Sequence, residues 1–384
     1  MDILFSEQEQ HFRETCRTWL AANVPDARRP LDAVDAEAFD RAWQRTLFDA
    51  GWAGIDWPEE YGGRGMSMIE QVIWLEEYAK AHAPWIGSNF AGINHAGPTI
   101  ILHGTEEQKR RYLAPTLKGE TIWCQGFSEP GAGSDFAGIS TRGRIEGDEI
   151  VVNGSKIWTS FAEIADLQEL MLRTEPGSTR HKGLSWVICD MRSPGIEVRP
   201  IRNMAGEGEF AQVFYEDVRI PLANVVGGLG NGWQVAMSTL GFERGTGFIS
   251  EQVKQREDIE TLIVAARADG RLADARIAGQ LAELRAEVAA LQAMTYRGIS
   301  EVIRSGAVGA ESSITRLAMA ELGQRIQAFA VAQLGDAVLD FRYGDAGTVY
   351  EYLKGFDATI AGGTAQIQRN IIGERILGLP RARA

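Results

Sequence analysis

Cys124–Asp135, C-Q-G-F-S-E-P-G-A-G-S-D, is the stretch on which the reading of this chain turns. It holds Gly126, Gly131 and Gly133, Pro130, and the hydroxyls of Ser128 and Ser134. Glycine lets backbone pass close to a ligand and take positive φ, and proline fixes a bend while removing a donor. Free N–H groups and hydroxyls in such a loop can hydrogen-bond a flat polar ring or a phosphate. Taken alone, the loop is a surface turn with two short polar side chains; the segment after it shifts the balance.

From Arg144 to Ser160 the chain reads R-I-E-G-D-E-I-V-V-N-G-S-K-I-W-T-S. Gly147-Asp148 and Asn153-Gly154 are turn dipeptides, and Asn-Gly is the strongest short hairpin signal. Glu149 to Val152 reads as one short strand and Lys156 to Ser160 as the next. Trp158 in such a strand is ordinarily core; beside a glycine loop it could also wall a flat cofactor.

Loop and hairpin together resemble the flavin-binding segment of the acyl-CoA dehydrogenase family. Other blocks agree along nearly the whole chain. G-W-A-G-I-D-W-P-E-E-Y-G-G-R-G (Gly51 to Gly65) resembles the family's N-terminal signature, and V-F-Y-E-D-V-R-I-P (Val213 to Pro221) the strand leaving its middle domain. T-I-A-G-G-T-A-Q-I-Q-R-N-I-I-G-E-R-I-L-G (Thr359 to Gly378) resembles its last helix. The resemblance implies an α+β fold of three parts: an N-terminal helical domain over 1–120, a middle antiparallel β domain over 121–227 and a C-terminal helical bundle over 228–384.

The order of local patterns is consistent with that division. The first part reads helical: Ser6 and Glu9 form a capping box ahead of Phe12, Cys16, Trp19 and Leu20, which keep helical spacing. Further helices are expected over Ala38 to Ala50, Met68 to Ala81, Ala91 to His103 and Glu106 to Lys118. The middle part is rich in turn dipeptides and β-branched runs, with strands expected at Gly183 to Cys189 and Gly195 to Val198. Beyond Gly228 the chain is helical again. Leu281, Leu284, Val288 and Leu291 mark the buried stripe of a long amphipathic helix, and Ala265 to Gly270 reads as a break.

Composition narrows the function. The 384 residues are 45% hydrophobic and 24% charged, as in an ordinary globular chain. A net charge of −13 argues against nucleic acid and against an anionic membrane surface. Cys16, Cys124 and Cys189 show no paired spacing and read as reduced thiols of a cytoplasmic protein. The five histidines form no metal-ligand cluster, and His95 and His103 read as polar helix or loop residues. No signal peptide precedes the first helix and no run of about 18 apolar residues occurs. Gly228-Leu229-Gly230-Asn231-Gly232 lacks the spacing of a dinucleotide fingerprint, which disfavours a doubly wound nicotinamide enzyme.

The reaction the resemblance implies removes a proton from Cα of an acyl-CoA thioester and a hydride from Cβ. The hydride passes to FAD, and the product is a trans-2-enoyl-CoA. A carboxylate must take the proton. In many relatives it stands just before the final Gly-Thr pair, but here that position is Gly362, in Ile360-Ala361-Gly362-Gly363-Thr364. The alternative is Glu243, in Leu240-Gly241-Phe242-Glu243-Arg244-Gly245. It follows Ala236 by seven residues and Leu240 by three, on an otherwise apolar stripe. Burial there would raise its pKa, which suits a base working near neutral pH. Relatives acting on branched or long-chain acyl groups carry their base in a similar Glu-Arg pair. The alternative reading of Glu243 is a helix residue salt-bridged to Arg244 or a neighbour; with glycine at 362, the catalytic reading is favoured.

By the same resemblance, Phe127, Ser128, Trp158 and Ser160 contact the flavin ring. Thr364 and Gln366, opening the last helix, approach its pyrophosphate. Ser134 and Arg244 face the CoA portion, and the Gly362 amide helps polarise the thioester carbonyl. The empty position at Gly362 enlarges the pocket, so a bulky, branched or cyclic acyl group is expected. An electron-transfer flavoprotein is the expected acceptor, and assembly as a dimer of dimers the expected state. The family's R-x-x-F-G contact is missing between Phe248 and Gln280, and Asp340–Asp345 replaces a glycine-rich loop. Both losses bear on the ADP half of the flavin site; the assembly is expected to be a homo- or a hetero-oligomer, and a sister subunit supplying some contacts would explain them. A non-catalytic or half-site subunit, and flavin monooxygenase or desulfinase chemistry on the same fold, are the alternatives.

Overall fold

The computed structural model describes residues 5–242, 246–306, 309–343 and 345–381. The helices are α1 Glu7–Asn23, α2 Ala33–Asp49, α3 Met68–Lys80, α4 Gly97–His103, α5 Glu106–Leu117, α6 Gly232–Phe242, α7 Ile249–Ala268, α8 Ala275–Ser305, α9 Ser312–Ala332, α10 Thr348–Lys354 and α11 Ala365–Ile371. The strands are β1 Trp123–Gly126, β2 Arg142–Glu146, β3 Glu149–Ser160, β4 Leu167–Arg173, β5 Leu184–Asp190, β6 Ile196–Ile201, β7 Phe210–Pro221 and β8 Val225–Val226. Helical N-terminal and C-terminal regions thus flank a central sheet, as expected. In space the chain forms two compact units. One takes Met1–Pro25, Met66–Ala83 and Arg244–Ala384; the other takes Asp26–Gly65 and Pro84–Glu243.

The first unit is all helical. Its N-terminal helix starts at Ser6, whose side chain accepts from the Glu9 amide while Glu9 accepts from the Ser6 amide at 2.6 Å. α1 buries Cys16 and Leu20, and Arg13 reaches across to Glu76 and Glu77 of α3 at 2.7 and 2.6 Å. Glu77, buried in α3, would be pushed up by desolvation; hydrogen bonds from Lys80, Arg13 and Arg17 reverse that and hold it below the usual carboxylate value. α7, α8 and α9 share a core in which Leu281, Leu284, Val288 and Leu291 pack against Ile259, Leu322 and Ile326. That is the stripe read from spacing alone. The expected break at Ala265 does not occur: α7 runs on to Ala268, and the chain turns only at Gly270, with φ +80°. Alanine and arginine favour helix, and the left-handed turn waits for the first residue that takes it freely.

The second unit holds the sheet, ordered β6-β7-β3-β2-β4-β5-β8 with β1 on β4. It is antiparallel except for β1 on β4 and a single β2–β4 pair. Ile150, Val152, Leu170, Leu172, Val187, Val213 and Val218 form its core. The two-strand reading of Glu149 to Ser160 is corrected here. These residues form one strand, and only Gly147, at φ +63°, makes the hairpin turn. β7 pairs with β3 on both sides of Asn153-Gly154, so β3 runs on without a reversal, and the register shift there puts the extra residue of a bulge in β7, where Glu216 and Asp217 oppose Asn153. Asn153 Nδ2 donates to Asp217 Oδ1 at 2.9 Å, and the Asp217 amide donates back to Asn153 Oδ1 at 3.1 Å. A Cβ at Gly154 would lie 2.7 Å from Thr141 Oγ1, so this position of β3 requires glycine.

Candidate active site

The glycine loop closes on itself before it meets anything else. Glu129 and Ala132 exchange backbone hydrogen bonds at 3.1 and 3.0 Å. The Glu129 carboxylate then accepts from the Ser140 amide at 2.6 Å, the Ser140 hydroxyl at 2.9 Å and the Thr141 amide at 2.9 Å. One side chain thereby ties both ends of the loop. Its counter-charge comes from β3, where Lys156 Nζ lies 2.8 Å from Glu129 Oε1 and donates to the Phe127 carbonyl at 3.0 Å. Both groups are buried, Lys156 completely and Glu129 to 6% exposure. Burial alone would raise the Glu129 pKa; the Lys156 charge and these hydrogen bonds bring it down to about 2. Burial pushes the Lys156 ammonium down to about 8 against the pull of Glu129.

This pair fixes the register between loop and strand. The Ile157 amide donates to the Ser128 carbonyl at 2.9 Å, so Phe127 and Ser128 lie alongside the strand that carries Trp158 and Ser160. A second shift in β3–β7 pairing falls between Lys156 and Thr159, and within it Trp158 takes φ +60°. Positive φ is uncommon for a bulky residue and marks a place where the surroundings impose the backbone. Trp158 is 58% exposed, so its ordinary reading as core does not hold. Ser128 and Ser160 are half-buried, while Ser134, beyond the clamp, is exposed. Among the described residues the buried Thr159 Oγ1 has no hydrogen-bond partner. A Cβ at Gly131 or Gly133 would meet nothing within 4 Å.

Two chains of rings flank the loop. On one side Phe161 lies 5.8 Å from Trp85, Trp85 6.0 Å from Phe90 and Phe90 5.0 Å from His95. His95 is buried, with Nδ1 3.2 Å from Glu169 Oε1, and Gln125 Nε2 donates to the same oxygen at 2.9 Å. The reading of His95 as a simple polar helix or loop residue is therefore corrected. It sits in the one-turn π-helix Gly92–Ala96, where the widened turn lets a histidine point into the interior. On the other side Phe127 stacks on Phe136 at 5.2 Å, and Phe136 lies 5.7 Å from Trp233 of α6.

Gly362, Thr364 and Gln366 lie in the helical unit. Gly362 and Gly363 have φ of +62° and +95°, and both are exposed. Thr364 caps α11 by accepting from the Ile367 amide at 3.2 Å. Gln366 is exposed, whereas Gln368 is buried and donates to the Gly362 and Gly363 carbonyls at 3.3 and 3.1 Å. Glu243 and Arg244 lie outside the described residues. On the helix leading to them the buried face is Val235, Ala236 and Thr239, with Met237 exposed; of the expected stripe only Ala236 is fully buried.

The sequence reading overlooked Glu129, Lys156, Gln125 and Glu169. Lys156 was detectable: it continues the inward-facing alternation of Ile150 and Val152 through a strand too apolar to leave a lysine unpaired.

Three family models match in order: Acyl-CoA dehydrogenase, N-terminal domain, over residues 6–120; middle domain, over 124–218; and C-terminal domain, over 230–377. The chain belongs to the acyl-CoA dehydrogenase family. Acyl-CoA dehydrogenase IpdE1 of Mycobacterium tuberculosis is 38% identical over 385 residues, covering 97% of this chain and 98% of its own. Acyl-CoA dehydrogenase FadE26 of the same organism is 33% identical, with both chains covered in full. Among solved structures, the Tcur3481-Tcur3483 steroid ACAD superposes with a TM-score of 0.88 at 30% identity over the whole of both chains. The ChsE4-ChsE5 complex from Mycobacterium tuberculosis superposes with a TM-score of 0.83 at 31% identity, again over both chains in full.

Acyl-CoA dehydrogenases are FAD-dependent oxidoreductases, and the residues of the sheet unit fit a flavin. The clamped loop leaves open space at two glycines and carries the half-buried Ser128 hydroxyl, and the exposed indole of Trp158, the half-buried Ser160 hydroxyl and the unpartnered buried Thr159 hydroxyl lie on the adjoining strand. Such a surface presents an aromatic face and hydrogen-bonding groups to a flat polar ring. Among the described residues no helix is long and apolar enough to cross a membrane, and no cluster suited to a metal ion occurs.

Proposed function

We propose that this chain catalyses the FAD-dependent α,β-dehydrogenation of an acyl-CoA thioester to the trans-2-enoyl-CoA, acting on a bulky, branched or cyclic acyl group. The observation that carries the reading is the preformed glycine loop, locked by Glu129 and Lys156 beside the strand of Trp158 and Ser160. Phe127, Ser128, Trp158 and Ser160 hold the flavin ring, and Thr364 and Gln366 approach its pyrophosphate. FAD supplies the acceptor for the hydride equivalent leaving Cβ. Glu243 takes the proton from Cα. The Gly362 amide polarises the thioester carbonyl, lowering the cost of negative charge at Cα. Ser134 and Arg244 orient the CoA portion.

Two features support a bulky acyl group. Position 362 carries no side chain, and the run Phe161–Trp85–Phe90 offers flat apolar surface, with Trp85 47% exposed. The similar Tcur3481-Tcur3483 and ChsE4-ChsE5 structures favour a hetero-oligomer, in which a sister subunit completes contacts that the missing R-x-x-F-G would make. An electron-transfer flavoprotein is the proposed acceptor.

An anaerobic flavin-bleaching assay over straight, branched, cyclic and steroid-side-chain CoA esters tests the reading. Bleaching should be fastest with the bulky esters and absent in Glu243→Gln, which should keep its flavin. Normal bleaching in that variant would sink the base assignment. Butanoyl-CoA turning over as well as all the bulky esters would sink the substrate class. Flavin-free protein when the chain is expressed alone, restored by co-expression of a partner, would support the hetero-oligomer.

A further inference from the structure

The exposed Trp85 ring is held in place by residues remote from it in sequence. Phe161 lies 5.8 Å from it, Phe90 6.0 Å, and the Arg29 guanidinium carbon 5.6 Å from the indole centroid. Phe161 directly follows Ser160 of β3. It is buried, takes φ +62° and donates its amide to the Glu209 carbonyl at 2.8 Å. The indole therefore adjoins the strand that carries Trp158 and Ser160.

Arg29 is placed by Asp40 of α2. Arg29 Nε donates to Asp40 Oδ1 at 2.7 Å and Nη2 to Oδ2 at 2.8 Å, a two-pronged pair whose carboxylate is fully buried. The same carboxylate accepts from the Ser88 amide at 2.8 Å, and the Asp40 carbonyl accepts from Asn89 Nδ2 at 3.1 Å. Ser88 and Asn89 are buried and belong to the short turn Gly87–Asn89, two residues after Trp85. Gly87 takes φ +56°, and a Cβ there would lie 2.1 Å from Asp40 Oδ2, so the carboxylate occupies the space a side chain would need. Asp40 thus holds both the turn that follows Trp85 and the cation beside its ring. A buried ion pair often adds nothing to stability over an apolar filling of the same volume, so its distinctive contribution here is geometric.

We infer that Asp40 is a positioning residue for the acyl site: through Arg29 and the Gly87–Asn89 turn it sets the Trp85 ring, and with it the preference for a bulky, branched or cyclic acyl group over a short straight one. The inference rests on the proposed acyl-CoA substrate and deepens it, because neither Asp40 nor Gly87 has to touch the ligand. A braced aromatic face favours a broad apolar group through buried area that a short chain does not supply.

Steady-state kinetics of the flavin-loaded enzyme, comparing a cyclic acyl-CoA ester with butanoyl-CoA, test it. In Asp40→Asn the ratio of the two kcat/KM values should fall roughly tenfold, the scale on which apolar pocket contacts discriminate, with flavin content unchanged. Arg29→Lys, which keeps the charge but loses the fork, should lower the ratio in the same direction and serves where Asp40→Asn does not fold. Trp85→Ala should lower the ratio too. Adding Asp40→Asn to it should change the ratio no further, as expected when one residue acts through the other. Gln44→Leu removes a buried hydrogen bond to the Leu117 carbonyl from the same helix, and should lower stability while leaving the ratio at its wild-type value. A wild-type ratio in both Asp40→Asn and Arg29→Lys would overturn the proposal, as would an additive loss in the double variant or an equal loss in Gln44→Leu. Fluorine NMR of fluorotryptophan-labelled protein reads the anchor without turnover. The Trp85 resonance, assigned by its absence in Trp85→Ala, should shift in Asp40→Asn and not in Gln44→Leu. An unshifted resonance would overturn the anchoring. A shifted one in a protein that no acyl-CoA bleaches would uphold the anchoring while removing the proposed reaction.

Discussion

Two glycine-containing loops carry Phe127, Ser128 and Ser134 on the one hand and Gly362 and Thr364 on the other, and they are held by different means. The loop at 126–141 is tied by a buried ion pair, with one carboxylate bonding both its ends and one lysine pinning it to β3. The loop at 360–364 holds no charged side chain. Its Gly362 and Gly363 carbonyls are bonded by the neutral amide of Gln368 and its Ala361 carbonyl by Arg316 Nη2 at 3.0 Å, and its shape comes from two left-handed glycines and a threonine cap. The first arrangement gives a rigid edge that a ring can be laid against. The second leaves two exposed glycines, Gly362 and Gly363, whose backbone faces solvent.

The largest break in that comparison is Lys156→Met. It leaves Glu129 charged and buried without its partner, which costs on the order of 3–5 kcal/mol. Urea unfolding followed by tryptophan fluorescence should show the loss, and flavin retention should fall with it. The double substitution Lys156→Met/Glu129→Leu should recover much of the stability but not the loop, because the Ser140 and Thr141 bonds go with the carboxylate. Full flavin retention in that double variant would show that the clamp is dispensable.

That pair also marks the limit of what the sequence reveals. The ordered motifs, the capping box at Ser6 and the Leu281–Leu291 stripe were legible because each depends on spacing within one element. The Glu129–Lys156 and His95–Glu169–Gln125 contacts join residues 27 to 74 positions apart, through a bulged strand and a π-turn that spacing alone does not announce. Asn153-Gly154 misled for the same reason: the dipeptide favours a reversal, and only the presence of β7, bulged opposite it, keeps it within one strand. Glu243 stands out in the sequence by its spacing from Ala236 and Leu240.

Acid should separate the two loops next. Glu129 titrates near 2 in the folded protein against an ordinary 4.5, a difference worth on the order of 3 kcal/mol. Because its folded value is depressed, that stability is present above about pH 4.5. It is lost as pH falls toward 2, where the folded carboxylate also takes its proton. Unfolding free energy measured between pH 6 and pH 2.5 should therefore decline with a steeper acid limb than in Glu129→Gln. Parallel acid limbs in the two proteins would break the claim. The loop at 360–364, holding no carboxylate, should contribute nothing to that limb.

A smaller effect is expected at Gly362. Its φ of +62° is left-handed, and an alanine there costs roughly 1–2 kcal/mol. Gly362→Ala should lower stability by that amount and slow bleaching more than it weakens flavin binding, since the proposed role of Gly362 is its amide toward the thioester. Loss of flavin with no change in the rate of the remaining holoenzyme would reverse the assignment.

Thr364 gives the smallest and most local test. Its hydroxyl satisfies the Ile367 amide, one of the donors that the first turn of α11 cannot pair internally. Thr364→Ala should cost about 1 kcal/mol and speed hydrogen exchange at the Ile367 amide, while Thr364→Ser, which keeps the oxygen, should leave both nearly unchanged. Exchange in the 126–141 loop should not respond to either substitution, because the Glu129–Lys156 pair holds that loop by itself. A response there to Thr364→Ala would mean that the two loops are ordered together, and that the contrast between a buried ion pair and an exposed, capped backbone does not describe how the site is held.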